Sequence, residues 1–335
     1  MAEAQAPLTP EPVFQALTAF WLSAAMKAAI ELGLFAALAD GPLDAAALGA
    51  RIQAPGRSTA MLADALVGTG FLTKVEGRYG LTPVAETFLD PRKPSYLGSM
   101  VHIVSGAEQW TSFASLAEAV KQGGCVGERS HLTPDDPFWH TFAQSSLAMA
   151  MGQGQQVAEL VAAKGIPVTR VLDIAAGTGG YGCAFGMRFP EAKVAFADWP
   201  GVLEFTKQNA ERFGLGGRAE FRPGDLFTSD WGSGYDLILL PNIYHHFDAA
   251  DCLKLSARVR EALKPGGAAV VVDFVPDDAR EAAAMPLLFA LVMLTHTPKG
   301  TTYTGADYRR FLGQNGFTRF DAVPLAGPQT AILAW

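Results

Sequence analysis

The chain has 335 residues, of which 49% are hydrophobic and 18% are charged, and its formal net charge is −7. This length suits about two domains, and the large apolar fraction excludes an intrinsically disordered chain because a sizeable core can be buried. The negative charge, with no run of basic residues, argues against a nucleic-acid partner, since binding to phosphates needs clustered Lys and Arg.

Three cysteines, Cys125, Cys183 and Cys252, are far apart in the sequence. They lack the paired spacing of a zinc site or a disulfide framework, and no cluster of acidic metal ligands is visible, so we expect free thiols and no metal. The N-terminus does not resemble a secretory signal. The longest apolar stretches, 14–26 and 282–295, fall short of the roughly 18 residues of a membrane span, so we expect a cytoplasmic protein without membrane association.

The first predicted element is a helix over residues 11–38, where apolar residues recur at helical spacing. Pro42 then opens a segment that predicts a helix, a turn, a second helix and a short hairpin around Glu76 and Gly77. This order of elements is typical of a winged helix.

Winged helices often bind DNA, so the charge of this one is informative. Residues 41–90 carry four basic and five acidic residues. The predicted recognition helix, 57–67, has one Arg among apolar residues, which is too few cations to contact phosphates or base edges. The sequence therefore favours a packing or dimerisation role over DNA binding. We expect a homodimer held mainly by the N-terminal half, because the broad apolar surface of the first helix would be buried in such an interface.

Residues 96–165 predict helices, through TSFASLAEAV and FWHTFAQSSLAMAMGQGQQVAELVA. The aromatic residues and methionines in this segment are core positions by default, and one wall of a pocket is the alternative. From Val168 onward short β-branched runs alternate with helices, which predicts βαβ units and a mostly parallel sheet. The chain ends with two strand-like runs, FTRFDAV and QTAILAW, joined by Gly327 and Pro328.

The stretch VLDIAAGTGGYG, residues 171–182, runs from a strand into Asp173 and then into a loop with Gly177 and Gly179. Such a loop brings the backbone and the helix N–H groups close to a ligand. The dinucleotide pattern G-x-G-x-x-G is not met, and a carboxylate at the mouth of the loop suits a cationic ligand better than a pyrophosphate. S-adenosylmethionine, with an ammonium, a sulfonium and no phosphate, fits. The alternative is an Asp that only caps the helix.

Three further signals follow in order. The strand KVAFA ends in Asp198, where a carboxylate can accept both ribose hydroxyls. The motif GDLF places Asp225 where it can take an adenine amino group and Phe227 where it can flank the ring. The turn LKPGG, 263–267, precedes the fifth strand. Together, these elements in this order are far more specific than the glycine loop alone.

The series VLDIAAGTGG, FADWP, GDLF, PNIYHHFD, LKPGG and VVVDF resembles the small-molecule O-methyltransferase family that includes the plant caffeic acid and isoflavone enzymes and hydroxyindole O-methyltransferase. The resemblance implies an α/β fold, with a Rossmann-like class I methyltransferase domain over 166–335 that ends in an antiparallel hairpin. It also implies an all-α winged-helix dimerisation domain over 1–95 and a helical connector over 96–165 that lines the substrate pocket. The implied reaction is methyl transfer from S-adenosylmethionine to a small, aromatic, hydroxylated metabolite.

The resemblance also implies the catalytic residues. The family's general base falls on His245 in the stretch Y-H-H-F, and the residue after it is His246 instead of Asp. Imidazole titrates near neutrality, so His245 can take the acceptor's proton, although a structural or capping histidine is the alternative for both. Asp273, 28 residues later, falls where a carboxylate orients the imidazole. The family's second carboxylate maps onto Thr302, which departs from the pattern.

Cofactor and substrate contacts carry over in the same way. The implied cofactor-binding residues are Asp173, Ala175, Gly177, Gly179, Asp198, Asp225, Leu226, Phe227, Pro241 and Asn242. Ala175 replaces the family's first glycine and Pro241 its lysine; Ala is tolerated if its φ is negative, and Pro removes one contact. The implied substrate-lining residues are Phe142, Ser146, Met293, Thr297, Thr302 and Tyr303. This apolar and aromatic set predicts a flat, neutral acceptor.

Two other functions stay open at this point. The first keeps the fold and the cofactor but methylates carbon or a thioether sulfur, and Thr302 leaves room for it because a sulfur acceptor needs no base. The second is a metabolite-sensing winged-helix regulator, which would need a basic recognition helix that this sequence lacks.

Overall fold

The computed structural model describes residues 8–127, 133 and 136–335. The chain divides into two compact units, Met1–Gly106 and Ala107–Trp335. The helical segment predicted over 96–165 is therefore shared between the two units, because the boundary falls inside it.

The first unit is helical with a small antiparallel sheet. Its elements are α1 (Glu11–Glu31), α2 (Leu34–Leu38), β1 (Leu43–Asp44), α3 (Ala45–Arg51), α4 (Gly56–Gly68), β2 (Leu72–Val75), β3 (Arg78–Leu81), α5 (Pro83–Phe88) and α6 (Val101–Val104). Glu76 and Gly77 join β2 to β3 with φ of 49° and 76°, the left-handed pair that a tight hairpin turn requires. The predicted hairpin is thus confirmed, and β1 adds a third strand in the order β1-β3-β2.

Hydrogen bonds within the first unit hold three of the four basic residues of its winged helix. On α4, Asp64 accepts hydrogen bonds from Lys74 at 2.6 Å and from the Tyr79 hydroxyl at 2.8 Å. Arg51 donates to the Ala37 carbonyl and Arg78 to the Pro42 carbonyl. Cations held in this way are not free to contact phosphates, which agrees with the prediction that this unit packs against protein.

Helix α1 exposes most of its apolar surface, and Ala29 is its one buried residue. Its exposed large residues are Val13, Phe14, Leu17, Phe20, Trp21 and Leu22. Among the described residues α1 is the one helix whose length and composition would also allow it to cross a membrane. The expectation that this stretch is too short is therefore wrong, because the apolar helix continues past residue 26 to a length of 21 residues.

The second unit is an α/β domain. Its helices are α7 (Ala107–Ala114), α8 (Leu116–Gln122), α9 (Pro137–Ser145), α10 (Leu147–Ala163), α11 (Gly180–Arg188), α12 (Pro200–Arg212), α13 (Ala249–Ala262), α14 (Ala284–His296) and α15 (Gly305–Gly313). Its strands are β4 (Arg170–Ile174), β5 (Lys193–Asp198), β6 (Ala219–Pro223), β7 (Tyr235–Pro241), β8 (Leu263–Asp273), β9 (Phe320–Pro324) and β10 (Thr330–Ala334).

The seven strands form one sheet in the order β6-β5-β4-β7-β8-β10-β9. Neighbours from β6 to β8 are parallel, and β10 runs antiparallel to both β8 and β9. The predicted parallel sheet and C-terminal hairpin are confirmed. The strand order reverses between β4 and β7, because β5 and β6 follow β4 on one side and β7 and β8 lie on the other, so the carboxyl ends of these two parallel strands border the crevice where ligands bind in open α/β sheets.

Alternating residues of the central strands form two apolar cores, one on each face of the sheet. Leu172 and Ile174 of β4 pack on one face with Leu240 of β7, whereas Val171 packs on the other with Leu239. This alternation follows from the two-residue period of a strand. It also puts Asp173 on the face of Val171, toward α10 and α11.

Candidate active site

The loop after β4 is built around three left-handed residues. Gly177 and Gly179 have φ of 54° and 73°, which glycine adopts without a steric penalty. Ala175, which replaces the family's first glycine, has φ of 52°. The negative φ at which Ala would be tolerated without strain is therefore not present: the loop imposes the left-handed conformation although a Cβ makes it unfavourable.

Residues of β5 and α12 hold this loop. The Gly177 N–H donates to Asp198 Oδ2 at 2.8 Å, and the Thr206 hydroxyl donates to the Gly177 carbonyl at 2.8 Å. Asn209, one turn later on α12, donates to the Thr178 carbonyl at 2.9 Å. The sequence analysis missed Thr206 and Asn209, although their spacing of three residues on one helix face could have indicated a shared target.

The sequence suggested that Asp173 lies at the mouth of the loop, but the structure places its side chain in the protein interior. It is fully buried, and its Oδ2 accepts the Gly182 N–H of α11 at 2.8 Å, so this oxygen caps the helix. Its Oδ1 has no hydrogen-bond partner in the part of the chain that the structure describes. Burial, assisted by the nearby Asp198 charge, raises the pKa of Asp173 to about 8. An unpaired carboxylate oxygen in this position fits a cationic ligand group.

Asp198 ends β5 with both carboxylate oxygens in use. Oδ2 accepts the Gly177 N–H at 2.8 Å and Oδ1 accepts the Trp199 N–H at 2.7 Å. Burial raises the pKa of Asp198 to about 6, although these two backbone donors act in the opposite direction. Each oxygen keeps a second lone pair, so the side chain can still accept two ribose hydroxyls.

Asp225 is exposed after β6 and caps its own turn. Its Oδ1 accepts hydrogen bonds from the Phe227 N–H at 2.9 Å and from the N–H and hydroxyl of Thr228 at 3.1 Å. Oδ2 accepts no hydrogen bond from the described residues, so it can accept one from an amino group. Phe227 lies edge-on to Phe247, and the Leu226 carbonyl accepts from Arg258, so this turn is held in a fixed shape.

A chain of four buried or half-buried polar side chains links α11 to the end of β7. The Tyr181 hydroxyl donates to Gln153 Oε1 at 2.7 Å, Gln153 donates to Gln329, and Gln329 donates to Asn242 Oδ1. Asn242 follows Pro241 at the end of β7, with φ of 55°. Because its oxygen accepts from Gln329, its amide NH₂ is left as the donor that faces away from the chain of bonds.

His245 and Asp273 meet as the sequence predicted. His245 lies in a 3₁₀ turn, Tyr244–His246, just after β7, and Asp273 is the last residue of β8. The two strands are parallel neighbours, so their carboxyl ends lie side by side. His245 Nδ1 is 2.6 Å from Asp273 Oδ1, and both side chains are almost fully buried.

Two further donors fix Asp273 in place. Its Oδ1 also accepts the Phe274 N–H at 2.8 Å, and its Oδ2 accepts the Tyr308 hydroxyl at 2.8 Å. An acceptor-only carboxylate requires that His245 Nδ1 carries the proton of their shared bond, which leaves the lone pair on Nε2. Tyr308 was missed by the sequence analysis; the capping signal at Thr304, four residues earlier, could have indicated a helix that buries it.

The surroundings of His245 are aromatic and closely packed. Phe289 of α14 lies edge-on to its ring with a centroid distance of 4.9 Å, and His246 lies at 4.6 Å. The Thr301 N–H donates to the His245 carbonyl at 2.9 Å. A Cβ at Gly300 would come within 2.4 Å of the same carbonyl, so glycine is required at this contact.

Four of the implied substrate residues belong to two helices. Phe142 and Met293 lie on α9 and α14, and Ser146 and Thr297 are the C-cap residues of these helices. Phe142 lies against the cofactor loop, with its ring 3.7 Å from the position of a Cβ on Gly177. Ser146 and Thr297 are buried, and their hydroxyls donate to the carbonyls of Phe142 and Met293 at 2.7 Å. Met293 is also buried. Contact of these residues with a substrate stays a prediction.

The other two implied substrate residues are deeply buried. The Tyr303 hydroxyl donates to the Phe247 carbonyl at 2.7 Å, and its ring packs edge-on against Phe311 in the core. Thr302 is fully buried, and its Oγ1 finds no hydrogen-bond partner among the residues described. Thr302 therefore supplies no bond to His245 in place of the family's second carboxylate.

Metal-binding groups of three or more His, Cys, Asp or Glu side chains are absent from residues 8–127, 133 and 136–335. The three cysteines are free.

Comparison with known families gives two matches that follow one another along the chain. Residues 14–91 match the O-methyltransferase dimerisation domain. Residues 114–318 match the O-methyltransferase domain. The second match covers more than half of the chain, and it favours an oxygen acceptor over carbon or sulfur acceptors and over a regulator.

Individual relatives agree. The tetracenomycin polyketide synthesis 8-O-methyltransferase of Streptomyces glaucescens is 30% identical over 330 residues, which are 96% of this chain and 95% of the relative. The solved structure of an O-methyltransferase candidate from Nostoc punctiforme superposes with a TM-score of 0.91 at 35% identity, over 98% of this chain and 99% of that one.

Human N-acetylserotonin methyltransferase in complex with S-adenosylmethionine superposes with a TM-score of 0.85 at 25% identity, over 99% of each chain. The match of both domains, in order and over nearly the whole length, confirms the fold class and the enzyme class that the sequence predicted. The chain belongs to the S-adenosylmethionine-dependent O-methyltransferase family, and it carries the family's dimerisation domain.

Proposed function

We propose that this enzyme methylates a phenolic hydroxyl of a small, flat aromatic metabolite and that His245 removes the hydroxyl proton. The observation that carries the proposal is the 2.6 Å bond between His245 Nδ1 and Asp273 Oδ1, which leaves the basic lone pair on Nε2. Bond formation between the acceptor oxygen and the methyl carbon releases the thioether product, and the proton passes to His245 Nε2.

The residues at the carboxyl ends of β4 and β5 and just after β6 fit S-adenosylmethionine. The unpaired Oδ1 of Asp173 suits an ammonium, the Asp198 oxygens suit ribose hydroxyls, and Asp225 Oδ2 suits an adenine amino group. The bound cofactor supplies a methyl group already activated on a sulfonium. The protein's contribution is therefore alignment of the acceptor and removal of its proton.

Two observations support an aromatic acceptor. The ring of Phe289 lies edge-on to His245, and Trp139 lies 5.5 Å from His246, so aromatic side chains surround the base. Two relatives, at 30% and 29% identity, are named for a tetracenomycin polyketide and for 3-hydroxy-5-methyl-1-naphthoate. Fused phenolic rings of this kind are flat and have the low-polarity faces that stack against such side chains.

We also propose that the enzyme is a homodimer. The dimerisation-domain match includes α1, whose exposed apolar residues Phe14, Leu17 and Trp21 need cover. An apolar groove of about 320 Å³ next to α1, lined by residues such as Met26 and Val101, enlarges this surface. Light scattering at micromolar concentration should give twice the chain mass of 35.5 kDa, and a monomeric mass would reject the proposal.

A matched set of acceptors tests the activity. The purified enzyme is incubated with S-adenosylmethionine and a hydroxynaphthoate, the corresponding thiol and the corresponding methyl ether, and products are read by mass spectrometry. We expect one added methyl group on the hydroxyl compound and none on the ether, which has no proton to lose. Methylation of the ether's ring carbon, or of the thiol alone, would contradict the proposed acceptor.

The base is tested by substitution. His245→Ala should lower turnover by about 10²–10⁴-fold, the range of a positioned general base, with cofactor affinity nearly unchanged. Asp273→Asn should lower turnover less, because the imidazole stays in place but loses the charge that orients it. Near-full turnover of His245→Ala, measured under saturating cofactor, would show that another group removes the proton.

A further inference from the structure

Tyr308 is a fully buried tyrosine of α15 whose hydroxyl donates to Asp273 Oδ2 at 2.8 Å. A capping box between Thr304 and Asp307 fixes the start of this helix. The ring packs edge-on against Tyr244 with a centroid distance of 5.4 Å. Burial and the Asp273 charge raise the pKa of Tyr308 well above its ordinary value, so the hydroxyl keeps its proton and stays a donor.

The bond from Tyr308 determines how Asp273 can be oriented. The Phe274 N–H and His245 Nδ1 share Oδ1, and Tyr308 alone among the described residues holds Oδ2. With both oxygens held, the carboxylate cannot rotate without breaking a buried hydrogen bond. Because His245 is itself held through Oδ1, the orientation of the imidazole depends on the Tyr308 hydroxyl.

This dependence is greater here because of Thr302. The resemblance to the O-methyltransferases places a second carboxylate at this position, whereas the Thr302 hydroxyl is buried and has no partner in the described part of the chain. Asp273 is therefore the carboxylate that orients His245 Nδ1, and its own support comes from α15 and from the Phe274 backbone.

We propose that Tyr308 is a positioning residue for methyl transfer, which holds Asp273 in the orientation that fixes the His245 imidazole. The proposal rests on the proposed role of His245 as the base. A neutral donor on Oδ2 also draws negative charge away from Oδ1, so that Asp273 orients the imidazole without holding its second proton too strongly. The base can then release that proton after each turnover.

Other groups around the pair bear on any pH dependence. Cys252 of α13 and Tyr181 of α11 interact electrostatically with Asp273; burial raises the pKa of Cys252 to about 12 and that of Tyr181 well above its ordinary value, so both stay neutral near pH 7. His246, whose ring is 4.6 Å from that of His245, is the neighbour with a side chain that ordinarily titrates in this range. pH profiles are therefore measured with and without His246→Gln.

The test compares Tyr308→Phe with Tyr235→Phe, in which an equally buried hydroxyl, bonded to the Trp231 carbonyl, is removed from β7. We expect Tyr308→Phe to lower kcat about 10-fold, the effect of one hydrogen bond to a charged group, and to leave the KM for S-adenosylmethionine unchanged. The acid limb of its pH profile should move to higher pH, because Asp273 then stabilises the imidazolium more strongly. Tyr235→Phe should have the kcat of the wild type and the same acid limb of the pH profile.

Two further variants keep the test decisive. In an Asp273→Asn background Tyr308→Phe should cause no additional loss of kcat, since its effect passes through the carboxylate. A ring-fluorinated tyrosine at position 308, which keeps the shape and strengthens the donor, should move the acid limb to lower pH. This variant serves even where Tyr308→Phe does not fold.

The outcomes separate this inference from the proposed function. If His245→Ala keeps full turnover, the base assignment fails and this inference fails with it. If His245→Ala is inactive while folded Tyr308→Phe has the wild-type kcat and pH profile, the base stands and the positioning role is rejected. An equal loss of kcat with and without the Asp273 carboxylate, or a fluorinated variant with an unmoved acid limb, also rejects it.

Discussion

Ala175 shows how a single residue can be strained at a binding loop. Its φ of 52° lies in the left-handed region, where a Cβ costs about 1–2 kcal/mol. The surrounding contacts impose this conformation: the Ala176 N–H donates to the Ala197 carbonyl at 3.2 Å, and the Gly177 N–H to Asp198 at 2.8 Å. The loop geometry is thus kept by β5 even where the residue does not favour it.

Ala175→Gly should therefore stabilise the protein. The substitution removes the left-handed penalty and adds about 0.5–1 kcal/mol of backbone entropy to the unfolded chain, so we expect a net gain of up to about 1 kcal/mol. Denaturant unfolding of the two proteins measures it. A loss of more than about 1 kcal/mol would mean that the methyl group packs favourably enough to outweigh the strain.

At the scale of elements, the sequence predicted what local patterns determine. The alternation of strands and helices and the hairpin at Glu76 and Gly77 follow from periodicity and turn residues, whereas the meeting of His245 with Asp273 was implied by the family resemblance. The sequence analysis expected Asp173 at the mouth of the glycine loop. The two-residue period along β4 could have corrected this, because it puts Asp173 with Val171 on the face of the sheet that packs against α11.

The contacts that the sequence could not predict come from elements distant in the chain. Tyr308 reaches Asp273 because α15 packs on the sheet, and Gln329 reaches Asn242 because the loop before β10 has one particular register. Neither residue belongs to a local motif. Tertiary packing decides which of many buried tyrosines and glutamines meets the site.

The polar chain from Tyr181 to Asn242 should behave as one unit that connects α10, α11, the C-terminal hairpin and β7. Gln329→Met removes its centre and leaves an unpaired amide on each side, at Gln153 and Asn242, so we expect a loss of about 2–4 kcal/mol. Tyr181→Phe removes one end and should cost about 1 kcal/mol. A loss in Gln329→Met no greater than that in Tyr181→Phe, measured by denaturant unfolding, would contradict this expectation.

For the whole molecule, the buried carboxylates of the cofactor crevice make stability depend on pH. The pKa is raised to about 8 for Asp173 and to about 6 for Asp198, because burial disfavours the charged form. In the unfolded chain both groups titrate near about pH 4. Between these values the folded state holds protons that the unfolded state has released, so each rise in pH favours unfolding.

The unliganded protein should therefore lose stability as the pH rises from about 4 to about 8, with both carboxylates contributing up to about pH 6 and Asp173 alone above it. Thermal unfolding between these pH values measures the slope. Asp173→Asn, which cannot ionise, should flatten the curve above about pH 6 and reduce its slope below, whereas Asp198→Asn should reduce the slope below about pH 6 and keep it above. Two outcomes would contradict this: a Tm that rises with pH across this window, or a slope above about pH 6 that is unchanged in Asp173→Asn. Either would show that the Asp173 carboxylate is ionised in the folded protein. Its unpaired oxygen would then already carry the charge that attracts the cofactor's ammonium.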